Sequence, residues 1–193
     1  KIDSGCEESG MLKQFPVKQM LEFATSTDKN GASIGAKIYG TKMRSIVHSI
    51  GMVDPVLKQQ FTLAQTISEY GLVPIIEPEV PIDHPDKELI EDELFELLEK
   101  YLQGKDFKVI LKLTPPEIPN LYFNLTTKPN VERVVFLSGR YSTDEACYRL
   151  GLNYGVSASF SRALSEGLYA DQTTEEFNEQ ISKNINMITK ASS

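Results

Sequence analysis

The feature that most limits how this chain can fold is the stretch 106–116, Asp-Phe-Lys-Val-Ile-Leu-Lys-Leu-Thr-Pro-Pro, an apolar run of strand length shut off by two prolines. Side-by-side Val, Ile and Leu suit a strand buried on both faces, as parallel strands are, and proline cannot continue a ladder. The run carries one late charge, Lys112. In isolation such a lysine most simply lays its stem along the strand and reaches water with its head. As a site residue it has another use: an ammonium stripped of hydration favours its neutral amine, the form that attacks a carbonyl.

Composition narrows the function classes. With 193 residues, 40% hydrophobic and 24% charged, the chain is ordinary for a globular protein, and one domain over 1–193 is expected. No apolar run approaches the ~20 residues of a membrane span, and no basic and apolar leader opens the chain. Cys6 and Cys147 have neither framework nor metal spacing, which predicts reduced thiols in a cytoplasmic protein. His48 and His84 stand equally isolated, which argues against zinc, although carboxylates can hold magnesium. A formal net charge of −7 argues against a nucleic-acid surface and leaves room for a local cationic pocket that takes a small anion.

In chain order, residues 1–5 are patterned as the tail of a strand entering a glycine turn. Val17, Met20, Leu21 and Ala24 predict a helix over 17–27, ended by the turn residues 28–31. A strand is predicted over 36–46, with Lys42 and Arg44 on one face. A helix then runs from Asp54, as N-cap, through Pro55 to Tyr70, closed by Gly71. Residues 72–80 read as a strand whose Glu77 and Glu79, two apart, project the same way. An acidic amphipathic helix is predicted over 86–102, burying Leu89, Ile90, Leu94, Leu97, Leu98 and Tyr101 and leaving its acids in water. After the Lys112 strand come a short helix over 119–127 and a strand over 131–137 that runs into Ser138-Gly139. A helix capped by Ser142 extends through Leu152, a strand covers 155–160, and Ser161-Arg162-Ala163-Leu164 opens a helix. Thr173 and Glu176 form a capping box for a last helix toward Lys190.

Strands alternating with helices predict a parallel α/β sheet. The polar residues at the strand ends, Lys1, Lys42, Glu77, Lys112, Ser138 and Arg162, recur at intervals of 41, 35, 35, 26 and 24 residues, each close to one βα unit. Six such units predict the TIM (β/α)8 barrel type, where functional groups come from the C-terminal ends of several strands. A doubly wound sheet is the alternative, but it gathers its site at one switch point, and its glycine fingerprint is absent. Gly40-Thr41-Lys42 also lacks the second glycine of a phosphate-cradling loop.

Five segments then combine: Gly-Thr-Lys-Met-Arg-Ser at 40–45, Leu-Val-Pro-Ile-Ile-Glu-Pro-Glu-Val at 72–80, Val-Ile-Leu-Lys-Leu-Thr at 109–114, Leu-Ser-Gly at 137–139 and Ser-Phe-Ser-Arg-Ala-Leu at 159–164. In this order and spacing they resemble class I fructose-bisphosphate aldolases of the bacterial type, over essentially the whole chain. The resemblance implies a partial (β/α)8 barrel, lacking roughly the first two βα units and with them a catalytic aspartate of the first strand. It implies reversible cleavage of fructose 1,6-bisphosphate to dihydroxyacetone phosphate and glyceraldehyde 3-phosphate, with no cofactor and no metal. Lys112 would be the Schiff-base nucleophile, Lys42 the neighbouring cation that favours its neutral amine, and Glu77 the general acid and base. Glu79 would hydrogen-bond the lysines. Ser138, Gly139 and Arg162 would grip the phosphate next to the ketone, Arg162 adding a forked donor at a helix start. Lys1 and Arg44 would line the other end of the sugar. The residue types fit the chemistry, because converting a carbonyl to an iminium creates an electron sink. The implied partner is a small sugar phosphate, with no nucleic acid or membrane and with room for a homo-oligomer.

Two positions depart from the family pattern. Gly139-Arg140 stands where the family commonly has Gly-Gly, so Arg140 either restricts a backbone that must approach phosphate or adds its own charge there. Ser4 stands where many relatives have lysine. Two other readings stay open: another Schiff-base barrel aldolase, acting on a deoxysugar phosphate, and a silent barrel piece whose open sheet edges make it an interaction module, poorly stable or inactive by itself.

Overall fold

The computed structural model describes residues 3–26 and 38–192. Lys1, the turn at 28–31 and the first residues of the strand predicted over 36–46 lie outside the described residues. Five strands, β1 (Gly40–Ile46), β2 (Val73–Glu79), β3 (Val109–Leu113), β4 (Val131–Phe136) and β5 (Val156–Ala158), form one sheet. Helix α1 (Val17–Thr25) precedes it. The crossovers carry α2 (Val53–Glu69), α3 (Lys87–Leu102), the short α4 (Phe123–Thr126) and α5 (Thr143–Gly151), and α6 (Thr174–Ala191) follows β5.

Every neighbouring pair of strands is parallel, and the order across the sheet is the order along the chain. This order decides between the two architectures. A doubly wound sheet reverses direction partway, whereas unbroken sequential order with right-handed crossovers stacks every helix on the same face. Among the described residues the sheet is not closed, so what is described is an arc of a (β/α)8 barrel. Its sixth predicted strand end, at Lys1, is among the residues outside the description.

Alternation along each strand separates the two faces. On β1, Thr41, Met43 and Ser45 are buried under the helices, while Lys42 and Arg44 face the concave side. The core beneath the helices joins Val56, Leu57, Phe61, Ala64 and Ile67 of α2 to Ile90, Leu94 and Leu98 of α3 and to Ile76 and Leu111 of the sheet. Phe61 and Tyr101 stack there with ring centroids 5.2 Å apart.

Several local expectations change. Asp54 is not an N-cap: a 3-10 turn (Ile50–Met52) leads into α2, and Asp54 falls in its first turn, where a carboxylate suits the helix N-terminus and accepts the Tyr101 hydroxyl at 2.9 Å. On α3, Leu89 is exposed while Lys87 and Glu91 are buried. The stripe is rotated because Lys87 Nζ donates to Glu91 and, at 2.8 Å, to the Pro115 carbonyl, while the Glu117 amide donates to Glu91 Oε2 at 3.0 Å. Buried charges with such partners are tolerated where lone ones are not. No α-helix opens at Ser161. Residues 161–167 form turns, because Asn184 Nδ2 of α6 donates to the carbonyls of Leu164 at 3.0 Å and Glu166 at 2.8 Å, engaging carbonyls that a helix would use. The caps predicted at Ser142 and Thr173 are present, each hydroxyl accepting the amide three residues on, that of Glu145 and that of Glu176, at 3.2 Å.

Residues 3–12 lace the outer edge of β1. Asp3 Oδ2 accepts the Arg44 amide at 3.2 Å, the Arg44 carbonyl accepts Cys6 Sγ at 3.0 Å, and the Ile46 amide donates to the Gly10 carbonyl at 3.0 Å. Gly10 is required there: its φ is +85°, and a Cβ would stand 1.8 Å from the Ile46 carbonyl oxygen. Cys6 and Cys147 form no disulfide. Among the described residues no helix is long and apolar enough to cross a membrane.

Candidate active site

The strand registers build the site. On β1 and β2, Lys42 lies opposite Ile75, Arg44 opposite Glu77 and Ile46 opposite Glu79. Each β1 cation therefore reaches one pair further along for its carboxylate. Lys42 Nζ pairs with Glu77 Oε2, and Arg44 Nε with Glu79 Oε2 at 2.6 Å. From the other flank, β3 pairs Leu111 with Ile76, which brings Lys112 beside Glu77. Lys112 Nζ stands 3.5 Å from Glu77 Oε1. One carboxylate thus presents an oxygen to each of two ammoniums, which come from the strands on either side of it.

Burial makes this arrangement consequential. The Glu77 side chain is 4% exposed, that of Lys112 13% and that of Lys42 28%. Away from bulk water each charged group is felt strongly by its neighbours. The Glu77 backbone is fixed from behind by a residue that sequence reading passed over. Gln60, fully buried on α2, accepts the Glu77 amide at 2.9 Å and donates to the Glu77 carbonyl at 3.2 Å and to Ser45 Oγ at 2.8 Å. Its signal was available: a polar residue inside the apolar stripe of Leu57, Phe61 and Ala64. Past the end of the ladder, Thr114 Oγ1 accepts the Val80 amide at 3.1 Å and donates to the Val80 carbonyl at 2.8 Å, holding β2 and β3 together beside the trio.

Arg44, Glu79, Gly139 and Arg162 line a separate hollow of about 460 Å³ at the C-terminal ends of the strands. Ser138 is buried just before Gly139, at the end of β4. Gly139 has φ +57°, and a Cβ on it would crowd Ile82 at 3.0 Å, so the turn after β4 packs closely on the loop after β2. The hydrogen bond from Arg44 to Glu79 raises the guanidinium above its ordinary value, against the opposing effect of burial, and keeps it charged at any working pH. Arg162 makes no ion pair among the described residues, leaving its charge free to meet an anion.

Three implied details change here. Glu79 bonds Arg44 rather than the lysines, because the register carries it two same-face pairs beyond Lys42 and only one beyond Arg44. Arg162 stands in a turn and not at a helix start. His48 and His84, isolated in sequence, meet at the same hollow, where the ring of His84 lies 2.9 Å from the His48 carbonyl through Nε2. Lys1 lies outside the described residues. Among those described, no group of three or more His, Cys, Asp or Glu is placed to hold a metal ion. An amine beside a carboxylate that can take and return a proton, next to a hollow lined by guanidinium groups, suits covalent capture of a carbonyl on an anionic molecule.

Comparison with known proteins gives related chains along the whole length. The chain is 46% identical over 198 residues to the fructose-bisphosphate aldolase class 1 of Clostridium acetobutylicum, an alignment that covers 100% of this chain and 65% of that protein. It is 44% identical to the protein of the same name from Synechocystis, covering 100% of this chain and 64% of the relative. It is 37% identical to that of Porphyromonas gingivalis, covering 100% and 65%. The chain therefore spans slightly less than two-thirds of the length of these relatives. No family model matches. Among solved structures, the fructose-bisphosphate aldolase of Plasmodium falciparum, crystallised in a ternary complex with TRAP and a small molecule inhibitor, superposes with a TM-score of 0.66 at 20% identity, over 98% of this chain and 65% of that one. At that identity the likeness establishes the fold, a partial (β/α)8 barrel.

Proposed function

From a chain that is related over its whole length to the class I fructose-bisphosphate aldolases, we propose that the protein interconverts fructose 1,6-bisphosphate with dihydroxyacetone phosphate and glyceraldehyde 3-phosphate, through a Schiff base on Lys112. The observation that carries the reading is the position of Glu77 between Lys42 and Lys112, beside a hollow rich in arginine.

The residues divide the work as follows. The Lys112 amine attacks the ketone carbon, and the carbinolamine loses water to give an iminium. Glu77, 3.5 Å from Lys112 Nζ, supplies the proton that lets hydroxide leave as water and later accepts the proton of the C4 hydroxyl. As that proton leaves, the C3–C4 bond breaks, glyceraldehyde 3-phosphate departs, and the bonding pair moves into the iminium to form an enamine. Protonation at C3 and addition of water return dihydroxyacetone phosphate and the free amine. Because the iminium itself takes up the electrons, the route needs no Lewis-acid metal. Lys42 holds one oxygen of Glu77, leaving the other, which faces Lys112, for proton transfer. Glu79 acts through Arg44, orienting its guanidinium toward the sugar. Ser138, Gly139 and Arg162 take the phosphate next to the ketone, and Lys1 belongs by resemblance to the opposite end.

Cleavage of fructose 1,6-bisphosphate, followed by a coupled assay for triose phosphates with and without EDTA, tests the reading. Turnover unaffected by chelator is expected. Turnover abolished by EDTA and restored by a divalent cation would contradict it.

A further inference from the structure

We infer that Arg140 is a phosphate-discriminating residue of the hollow, for which Asp83 and the phosphoryl group of a bound sugar phosphate compete; the inference rests on the proposed function and adds a ligand to it. The residue is exposed, in the turn after β4, and its guanidinium pairs with Asp83 in the loop after β2. The pairing follows from the backbone. The left-handed turn at Gly139 packs on Ile82, and the next residue in each loop then faces its counterpart. Both belong to the lining of the hollow that holds Arg44 and Arg162.

The charges there are unequally committed. Arg44 is held by Glu79, whose side chain is 15% exposed, at 2.6 Å. Arg162 has no ion pair among the described residues. Arg140 and Asp83 are 60% and 66% exposed, and ion pairs that wet contribute little. A phosphoryl dianion offers three oxygens and a second charge, and a guanidinium meets it through two parallel hydrogen bonds. Of the two guanidiniums that already have carboxylate partners, that of Arg140 is therefore the one a phosphate can draw away. Asp83 then works against binding, since it must give up its partner. This makes Asp83 a counterweight that sets how much phosphate the hollow requires before Arg140 joins Arg162.

Titration calorimetry with inorganic phosphate and with dihydroxyacetone phosphate tests this on the protein and on its R140Q, D83N and R140Q/D83N variants. Both sites are exposed, and circular dichroism checks that each variant folds. R140Q is expected to weaken both ligands roughly tenfold. D83N is expected to tighten them roughly threefold, and the double variant to bind as weakly as R140Q. Opposite shifts from the two ends of one ion pair are the signature, because a merely structural pair would shift both the same way. Unchanged binding in R140Q, or equal weakening in both single variants, would overturn the inference. Reductive trapping of the unaltered protein separates this result from the lyase reading. If Lys112 is unlabelled while phosphate follows the expected pattern, the lyase reading fails and the exchange stands. If Lys112 is labelled while R140Q binds as the unaltered protein does, the exchange fails and the lyase reading stands.

Discussion

Glu77 serves two lysines at once, so removing its charge has two separable effects. Glu77→Gln keeps the shape but leaves two lysines without their shared carboxylate and takes away the proposed proton carrier. The expected outcome is a kcat lower by about 10²- to 10⁴-fold, with roughly 1–3 kcal/mol of stability lost in urea unfolding. Glu79→Gln is different. Its partner Arg44 lines the hollow, so KM is expected to rise more than kcat falls, and an equal fall in kcat would contradict the division of roles. Glu91 gives a pH signal away from the site. Burial, the dominant cause, pushes it up to about 7 in spite of Lys87, whereas Glu117 beside it is lowered, its own burial outweighed by Lys87 and Arg149. A carboxylate whose folded value lies above its unfolded one contributes stability below the unfolded value and loses it as pH rises through the folded one. The Glu91 contribution is thus present below about pH 4.5 and lost by about pH 7. Comparing unfolding of the protein and of Glu91→Gln between pH 5 and pH 8 is expected to show a flatter profile in the variant, by up to about 3 kcal/mol. Parallel profiles would assign Glu91 no such role.

β2 is read by its neighbours from three sides: α2 through Gln60, β1 through two ion pairs and β3 through Thr114 and Lys112. Gln60→Leu would leave the buried amide and carbonyl of Glu77 without their side-chain partner. The expected cost is about 2–4 kcal/mol in chemical denaturation. The parity of Glu77 and Glu79 was legible in the sequence, because period two is a property of one strand. The partner of Glu79 was not, because register is a relation between two strands and is written in neither alone. The same distinction covers the helices. Ser142 and Thr173 cap through bonds three residues long and were readable locally, whereas the rotated stripe of α3 depends on Pro115 and Glu117, and the lost helix at Ser161 depends on Asn184, each brought there only by the tertiary fold.

Sequential parallel order turns a set of strand ends into one curved row, which is why residues spaced by one βα unit meet. That much followed from counting polar residues along the chain. The meeting of His48 with His84, and of Arg140 with Asp83, did not follow, since these residues sit on loops whose mutual approach carries no periodic signature. Among the described residues the sheet is an open arc, and an uncovered strand edge invites association. At β1 the edge is covered through Asp3, Cys6 and Gly10. Gly10→Ala, which forces a Cβ toward the Ile46 carbonyl, is expected to cost about 2–4 kcal/mol, to speed hydrogen exchange at the Arg44 and Ile46 amides, and to promote self-association on gel filtration. Unchanged exchange at both amides would show that the lacing does not protect the edge. The central claim, the proposal that Lys112 becomes the covalent centre because β2 places against it the Glu77 carboxylate that Lys42 of β1 also holds, is tested most directly by borohydride reduction with dihydroxyacetone phosphate followed by peptide mass spectrometry. A stable adduct on Lys112, absent in Lys112→Met, is the expected result; an adduct on Lys42 or another lysine, with Lys112 unmodified, would contradict the account.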